Sequence, residues 1–314
     1  EGLRNEHPVV GMVLNYRTLS KLNSTYCEGL LKVIGEDGRI HSSFNQTETR
    51  TGRISSTDPN LQNIPVRTEL GREMRKFFNA RNGWMLVDAD YSQIELRVLA
   101  DISKDENMVK AFIENQDIHA ITASQVFDMP LDYVTSQMRS KAKAVNFGIV
   151  YGIGAYSLAK DIGVSNKEAK NYIDSYLRHY SGIDRYMKEV VEKAKETGYV
   201  ETTFGRRRYL PELTASNGMT RAFGERVARN APIQGTAADI IKIAMIKVDK
   251  RLTKENLEAR LILQVHDELI VECPAHETMV VAMILQEEME KAVKLSVPLV
   301  ADSAVGENWF EAKG

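Results

Sequence analysis

The chain is poor in cysteine. Cys27 and Cys273 are the two thiols in 314 residues, far apart and outside any CxxC spacing. That argues against a disulfide framework or a cysteine zinc site and reads as two reduced thiols in an intracellular protein. Long apolar runs are missing too: none approaches the roughly 20 residues of a membrane helix. The opening stretch, Glu1 to Glu6, lacks the apolar core of a signal peptide and has no initiating methionine, which reads as a fragment or processed product. Net charge is nearly absent at −2, so no global field advertises a nucleic acid or an acidic surface. There are no internal repeats and no low-complexity linker. What remains, 43% hydrophobic and 27% charged, is a soluble globular composition with enough length for two or three structural regions.

The charges nevertheless cluster. Basic groups gather at Arg67, Arg72, Arg75 and Lys76, at Arg139, Lys141 and Lys143, at Arg206 to Arg208, and at Arg221, Arg226 and Arg229, while acidic groups gather over 275–290. Alone, such clusters are ordinary solvated helix faces. Along the chain, residues 1–50 combine a helical start with a hairpin around Gly35-Glu36-Asp37-Gly38. The Thr-, Ser-, Asn- and Pro-rich 51–66 stretch reads as an ordered loop. Trp84 to Asp88 reads as an apolar strand leading into a helix over Ser92 to Ala100. From about 105 to 198 the pattern is mostly helical, with a capping box at Ser165 and Glu168. A strand from Tyr199 to Phe204 ends at the turn Gly205-Arg206-Arg207. A long helix begins near Arg221, is broken or bent at Pro232, and runs to about Leu252. Two strands, Leu261–Val265 and Leu269–Cys273, flank His266-Asp267-Glu268. A helix over 275–293 and a strand over Pro298–Ala301 follow. The order predicts an α+β fold in which a helical insertion splits a small sheet.

Two acidic positions stand out. Asp90 lies where an apolar strand passes into a helix. Asp267 lies between two apolar strands, where a buried charge is costly unless compensated. A two-residue turn would put it at the sheet edge, facing a cleft. Carboxylates from adjacent strands could then share a pair of divalent cations. Hard oxygen ligands suit Mg²⁺, which takes one or two carboxylates plus substrate phosphates. The same residues also read as a helix cap and a polar turn. Asp88 is a weaker candidate, sharing Asp90's face only if the strand stays regular. On the helix over Thr135–Tyr151, Arg139, Lys143 and Phe147 recur every four residues, a row of two cations and a ring that suits a nucleoside triphosphate. Gly148 and Gly152 would let the helix bend. An ordinary cationic helix face is the other reading.

Taken together, these segments resemble the family A DNA polymerases, those of the bacterial DNA polymerase I type. The resemblance rests on Asp90-Tyr91-Ser92-Gln93-Ile94-Glu95-Leu96-Arg97, on Arg139 through Gly152, and on Gln264-Val265-His266-Asp267-Glu268. Thr51 through Pro65 and Arg226 through Asp239 add two further stretches. Five motifs in the family's order cover nearly the whole chain. The family implies a right-hand architecture with an antiparallel-sheet palm and helical fingers. Residues 1–50 would end the thumb and join it to the palm, 51–104 and 201–314 would form the palm, and 105–200 the fingers. Most thumb helices and both nuclease domains would lie outside this chain, which puts its grip on a duplex in question.

By resemblance, Asp90 and Asp267 hold two Mg²⁺ ions, with Mn²⁺ able to substitute. The Tyr91 carbonyl is a further ligand and Glu268 an acidic support. Arg139 and Lys143 meet the triphosphate, helped by His119 and Gln93, and Lys143 is the candidate acid for the leaving group. Phe147 packs on the incoming sugar, Tyr151 stands near the nascent pair, and Glu95 is the steric gate against a ribose 2′-hydroxyl. Glu95 also reads as a partner for Arg97. Phe147, where some relatives carry Tyr, implies poor use of dideoxynucleotides. Arg53, Asn230, Gln234 and His266 contact the primer–template near the active site. Asn60, Gln62, Asn63 and Arg226 are second contacts that read equally as loop or helix residues.

The implied activity is DNA-templated addition of deoxynucleotides to a primer 3′-hydroxyl. The implied setting is a monomer, without membrane attachment, in the bacterial cytoplasm at the nucleoid, serving replication or repair. A non-catalytic primer–template-binding fragment and a single-subunit RNA polymerase or reverse transcriptase are the competing readings.

Overall fold

The computed structural model describes residues 2–3, 6–65 and 68–313. Arg67 of the first basic cluster lies outside them, as do residue 66 of the expected loop and residues 1, 4 and 5 of the opening stretch.

Helix α1 (Pro8–Leu22) passes through a π-helical turn, Asn23–Cys27, into α2 (Glu28–Leu31). The expected hairpin at Gly35–Gly38 shrinks to one antiparallel bridge, Ile34 to Ile40, closed by the Gly35 N–H donating to Arg39 O at 2.7 Å. The polar stretch after residue 50 is not all loop. Strand β1 (Ser43–Asn45) pairs with β2 (Ser55–Thr57), and Leu61–Asn63 winds into a 3₁₀ turn capped by the Asn60 side chain. Its polar composition conceals a strand because Thr and Ser suit an exposed ribbon as well as a turn.

After α3 (Glu69–Glu73) comes β3 (Trp84–Tyr91) and then α4 (Ile94–Ser103). The strand outruns its apolar stretch by three residues because it is paired on both sides: Asp90 stands opposite Glu268 and Asp302. Helices α5 (Glu106–Ile113), α6 (Ile118–Phe127), α7 (Ser136–Val150), α8 (Ala155–Ile162), α9 (Asn166–His179) and α10 (Ser181–Thr197) follow without an intervening strand. Ser165 and Glu168 form the expected capping box at α9. Strands β4 (Tyr199–Glu201) and β5 (Arg207–Tyr209) make a hairpin around Gly205.

Helix α11 (Gly218–Lys254) starts three residues before Arg221 and is not broken at Pro232. Asn217 caps it by accepting from the Met219 and Thr220 N–H groups. Pro232 forfeits the helical bond to Ala228, yet Ala228, Ala231, Pro232 and Ile233 are all buried, and packing there outweighs the lost bond.

Strands β6 (Arg260–Val265) and β7 (Glu268–Pro274) are joined by the two-residue turn His266-Asp267, with His266 left-handed at φ 55°. Helix α12 (Thr278–Glu290), strand β8 (Ala301–Gly306) and a helical turn, α13 (Trp309–Ala312), complete the chain. The last strand begins where the sequence places its end. Val297 and Leu299 are buried in the core instead of forming a ladder, and Pro298 has no N–H to give one.

Among the described residues the main sheet is antiparallel throughout, in the order β6–β7–β3–β8. The fold is thus α+β, and its sheet is interrupted in sequence by helices. Side chains alternate across β3. Val87, Ala89 and Tyr91 enter a core shared with Val281, Ile284 and Leu285 of α12. Leu86, Asp88 and Asp90 face the other way, toward a second core built from Leu30, Ile270 and Trp309. On β7, Glu272, Ile270 and Glu268 stand opposite these three in register. That face is therefore acidic toward one end.

At its far end Glu272 is almost fully buried and accepts from the Arg39 guanidinium at 3.2 and 3.0 Å, and from the Arg81 backbone and side chain at 2.9 and 3.2 Å. Replacing Glu272 with Ala removes the acceptor for these donors and should lower unfolding stability in urea by about 2 kcal/mol. A variant as stable as the parent would show that these bonds do not hold the 32–41 segment to the sheet.

Candidate active site

The apolar pattern of β3 and β6–β7 carries two acids to one edge. Asp90 is the second-last residue of β3, and Asp267 is the second residue of the β6–β7 turn. The Tyr91 N–H donates to the Asp267 carbonyl at 3.1 Å, which fastens the end of β3 to the turn. The Tyr91 phenol donates to Met289 O at 2.6 Å and anchors the same strand end to α12. Burial, followed by the neighbouring Asp90, pushes the Asp267 carboxyl up to about 7. Asp90 Oδ1 is buried with no hydrogen-bond partner among the described residues.

Asp88 joins this group, since β3 stays regular and presents it on Asp90's face. It is 3% exposed, and burial together with Glu268 pushes it up to about 9. A carboxyl in that state is neutral at pH 7. Glu268 moves the opposite way, held below its ordinary range against the cost of burial by Asp88 and Lys313. Its Oε1 accepts from the Trp309 indole at 2.7 Å and its Oε2 from Lys313 at 2.6 Å. Lys313 also reaches Asp90 Oδ2 at 2.9 Å. Neither Lys313 nor Trp309 belongs to a motif, and position in the sequence does not single them out.

The cationic helix is α7. Thr135 caps it, and its last turn closes on Gly152 at φ 66°, with Ile153 N–H donating to Gly148 O at 2.8 Å. The two glycines thus end the helix where the sequence places a bend. Arg139 pairs with Asp117, Nε to Oδ2 at 2.6 Å, and Lys143 is exposed with no partner among the described residues. Phe147 and Tyr151 stack at 6.3 Å, and His119 lies 5.9 Å from Phe147. His119 is 2% exposed and hydrogen-bonds Asn146 through Nδ1 at 3.0 Å. Burial, then Arg139 and Lys143, push its imidazole down to about 4.

The two regions meet at Glu95. Its Oε1 accepts from Arg53 at 2.7 Å, while Oε2 is buried without a partner among the described residues. Burial and Glu95 raise the Tyr151 phenol well above its ordinary value, and Asp267 acts on it as well. Gln93, left-handed at φ 56°, sits at the start of α4 with a buried, unpartnered Oε1.

The remaining expected contacts differ in how free they are. Asn230 donates to Val150 O at 3.1 Å and Gln62 to Gln264 O at 3.1 Å, so both side chains already have partners in the protein. Asn60 caps its 3₁₀ turn, and the Asn63 carbonyl accepts from Tyr26. Gln234 is half-buried, and Arg226 and His266 are exposed.

The donor set fits Mg²⁺ in a particular way. Among the described residues no group of three or more His, Cys, Asp and Glu side chains is arranged to hold a metal alone. Two crowded carboxylates with an orphaned buried oxygen match an ion that completes its shell with phosphates and water.

A sequence model of DNA polymerase family A matches residues 1–311. DNA polymerase I of Bacillus subtilis (strain 168) is 53% identical over 315 residues, covering 100% of this chain. DNA polymerase I of Geobacillus stearothermophilus is 51% identical over 315 residues, again across 100% of the chain. The chain spans 36% of the length of each. The POL domain of Pol1 from M. smegmatis, solved in complex with DNA primer-template and dNTP, superposes with a TM-score of 0.95. It is 44% identical and covers 99% of this chain and 55% of that one.

The buried His119 sets a pH dependence. Its free imidazole titrates near 6.5 and the folded one near 4. Between those values the unfolded chain takes up a proton that the native state refuses, so stability present above pH 6.5 is lost as pH falls toward 4. The His119 ring resonances should show an NMR midpoint near 4, and His119→Gln should flatten the stability slope across that window. A midpoint near 6.5 would contradict the buried ring.

Proposed function

The chain belongs to DNA polymerase family A, and on that premise we propose that it catalyses DNA-templated extension of a primer 3′-hydroxyl by deoxynucleoside triphosphates, with release of pyrophosphate. The observation that carries this reading is the convergence of Asp90 and Asp267 at the strand edge, beside the Glu95–Tyr151 contact that ends the cationic helix. The sheet of 51–104 and 201–314 acts as the palm, the helices of 105–200 as fingers, and residues 1–50 as the end of the thumb and its junction with the palm.

Asp90 and Asp267, with the Tyr91 carbonyl, would hold two Mg²⁺, which when bound supply Lewis-acid stabilisation at the reacting phosphate and a lowered pKa for the primer hydroxyl. The protein's own groups do the rest. Lys143 and Arg139 bind the triphosphate, Arg139 leaving Asp117 to do so, and Lys143 protonates the departing pyrophosphate. Gln93 and His119 support that pocket, and Phe147 orients the sugar. Glu95, braced by Arg53 and backed by Tyr151, fills the space a ribose 2′-hydroxyl needs. Arg53 and Gln234 meet minor-groove acceptors that every base pair offers in similar places, so they report pair shape and not sequence. Asn230 and His266 flank the same duplex, with Asn60, Gln62, Asn63 and Arg226 farther along it. The chain works as a monomer on primer–template DNA in the bacterial cytoplasm, in repair or replication. No helix among the described residues is long and apolar enough to cross a membrane.

Replacing Asp267 with Ala should reduce Mg²⁺-dependent primer extension roughly 1,000-fold or more. The melting temperature should stay the same or rise, because a crowded carboxylate is removed. Full extension by this variant, measured on a gel with an EDTA control, would defeat the assignment of Asp267, whereas no extension by the parent chain would favour a non-catalytic binding fragment.

Glu95→Ala should raise ATP incorporation relative to dATP by roughly 100-fold. Unchanged discrimination would place the gate elsewhere, and equal use of ATP by the parent chain would favour the RNA polymerase reading.

A further inference from the structure

The acidic edge already contains a cation. Lys313 follows α13 and sends its ammonium between two strands, 2.6 Å from Glu268 Oε2, 2.9 Å from Asp90 Oδ2 and 3.9 Å from Asp88 Oδ1. Its placement is built in. Asn308 caps α13 by accepting from the Glu311 N–H. Trp309, 1% exposed, packs edge-on against Phe78 and under the Arg75 guanidinium, 4.3 Å from its ring. A Cβ on Gly306 would collide with the Ala312 backbone, so the turn lies tight against β8.

Both oxygens of Glu268 are engaged, Oε1 by the Trp309 indole with the Arg75 guanidinium 3.9 Å away, and Oε2 by Lys313, the residue that follows the helical turn. Glu268 is therefore the post on which the lysine is mounted. Asp90 differs: Oδ2 accepts from Lys313 alone, and Oδ1 accepts from nothing among the described residues.

We propose that Lys313 is a positioning residue that serves as a tethered stand-in cation: it holds Asp90 and Glu268 together before metal arrives and competes with the incoming ion for Asp90. This rests on the reading of Asp90 as a metal ligand. The ammonium carries one charge and stays fixed to Glu268, whereas a divalent ion brings two charges and open positions for phosphate. Lys313 thus weakens metal binding in the absence of substrate, and it keeps the acids from springing apart when the ion leaves. The trade follows from Coulomb's law at about 3 Å, where one unit charge is worth roughly a tenfold change in affinity even at the full screening of water.

The test uses the whole chain with Mn²⁺ alone as the probe, followed by electron paramagnetic resonance without DNA or nucleotide. Lys313→Met and Lys313→Gln both remove the charge, and Gln retains a donor in case the Met variant folds poorly. Lys313→Arg keeps the charge. The neutral variants should bind Mn²⁺ about 10-fold more tightly than the parent. They should also melt at lower temperature in EDTA, and recover that loss when Mn²⁺ is added. The Arg variant should stay near the parent in both. A lower melting temperature with unchanged or weakened Mn²⁺ affinity would overturn the proposal, leaving Lys313 as an ordinary ion pair. Asp90→Asn serves as the separate control. If it binds Mn²⁺ as well as the parent does, the metal reading of Asp90 fails, whatever the lysine variants do.

Discussion

Like-charge crowding at one edge of a sheet governs this molecule. Asp88, Asp90, Asp267 and Glu268 are drawn together by two apolar strands whose pairing cannot shift without turning their buried faces to solvent. Four ionised carboxylates in that space would repel strongly, and the protein answers in three ways. Asp88 is kept as a neutral acid by burial. Glu268 is surrounded by donors. Asp90 and Asp267 are left partly uncompensated. The opposite end of the same face meets the equivalent burial with arginines, since Glu272 is saturated by Arg39 and Arg81. One strand pair thus carries one acid whose partners the protein supplies in full and others whose partners it supplies only in part.

The cationic helix shows the complementary arrangement. Arg139 is matched by Asp117, a residue whose other oxygen caps α6. Lys143 has no partner among the described residues. Of the two cations in the row, one is thus engaged and one free, and Arg139 can turn to another anion only by leaving Asp117. His119, neutral and tied to Asn146, contributes ring surface beside Phe147 without adding a third positive charge to that row.

Much of this is legible in the sequence, for identifiable reasons. The junction at Asp90 and the turn at Asp267 show because an acid at the end or in the middle of an apolar run has few physical explanations. The row Arg139, Lys143, Phe147 shows because a helix repeats nearly every four residues, and the cap at Ser165 because its chemistry is local. What does not show depends on distant packing. Pro232 reads as a helix breaker by itself, and only the buried surroundings of α11 override that. The last strand is misplaced because the apolar residues 297–299 are buried without a ladder, while the polar strand after them is set by β3. Asp88 is ambiguous until both neighbours of β3 are known. Trp309 opens a four-residue helical turn that no periodicity marks and Lys313 follows it, and their contacts with the acids depend on where Gly306 lets that turn settle.

Helix α11 has a mechanical consequence. Its 37 residues extend about 55 Å. Toward one end Asn230 holds the last carbonyl region of α7, and Gly152 is lodged against the Arg226 stem. Toward the other, Arg251 clasps Glu287 and Glu288 of α12, beneath the sheet. A single stiff rod therefore runs from the helical half to the foundation of the acidic edge. Because one rod is tied to α7 at Val150 and to α12 through Arg251, the end of the cationic helix and the support of the acidic edge are held at a fixed spacing along it.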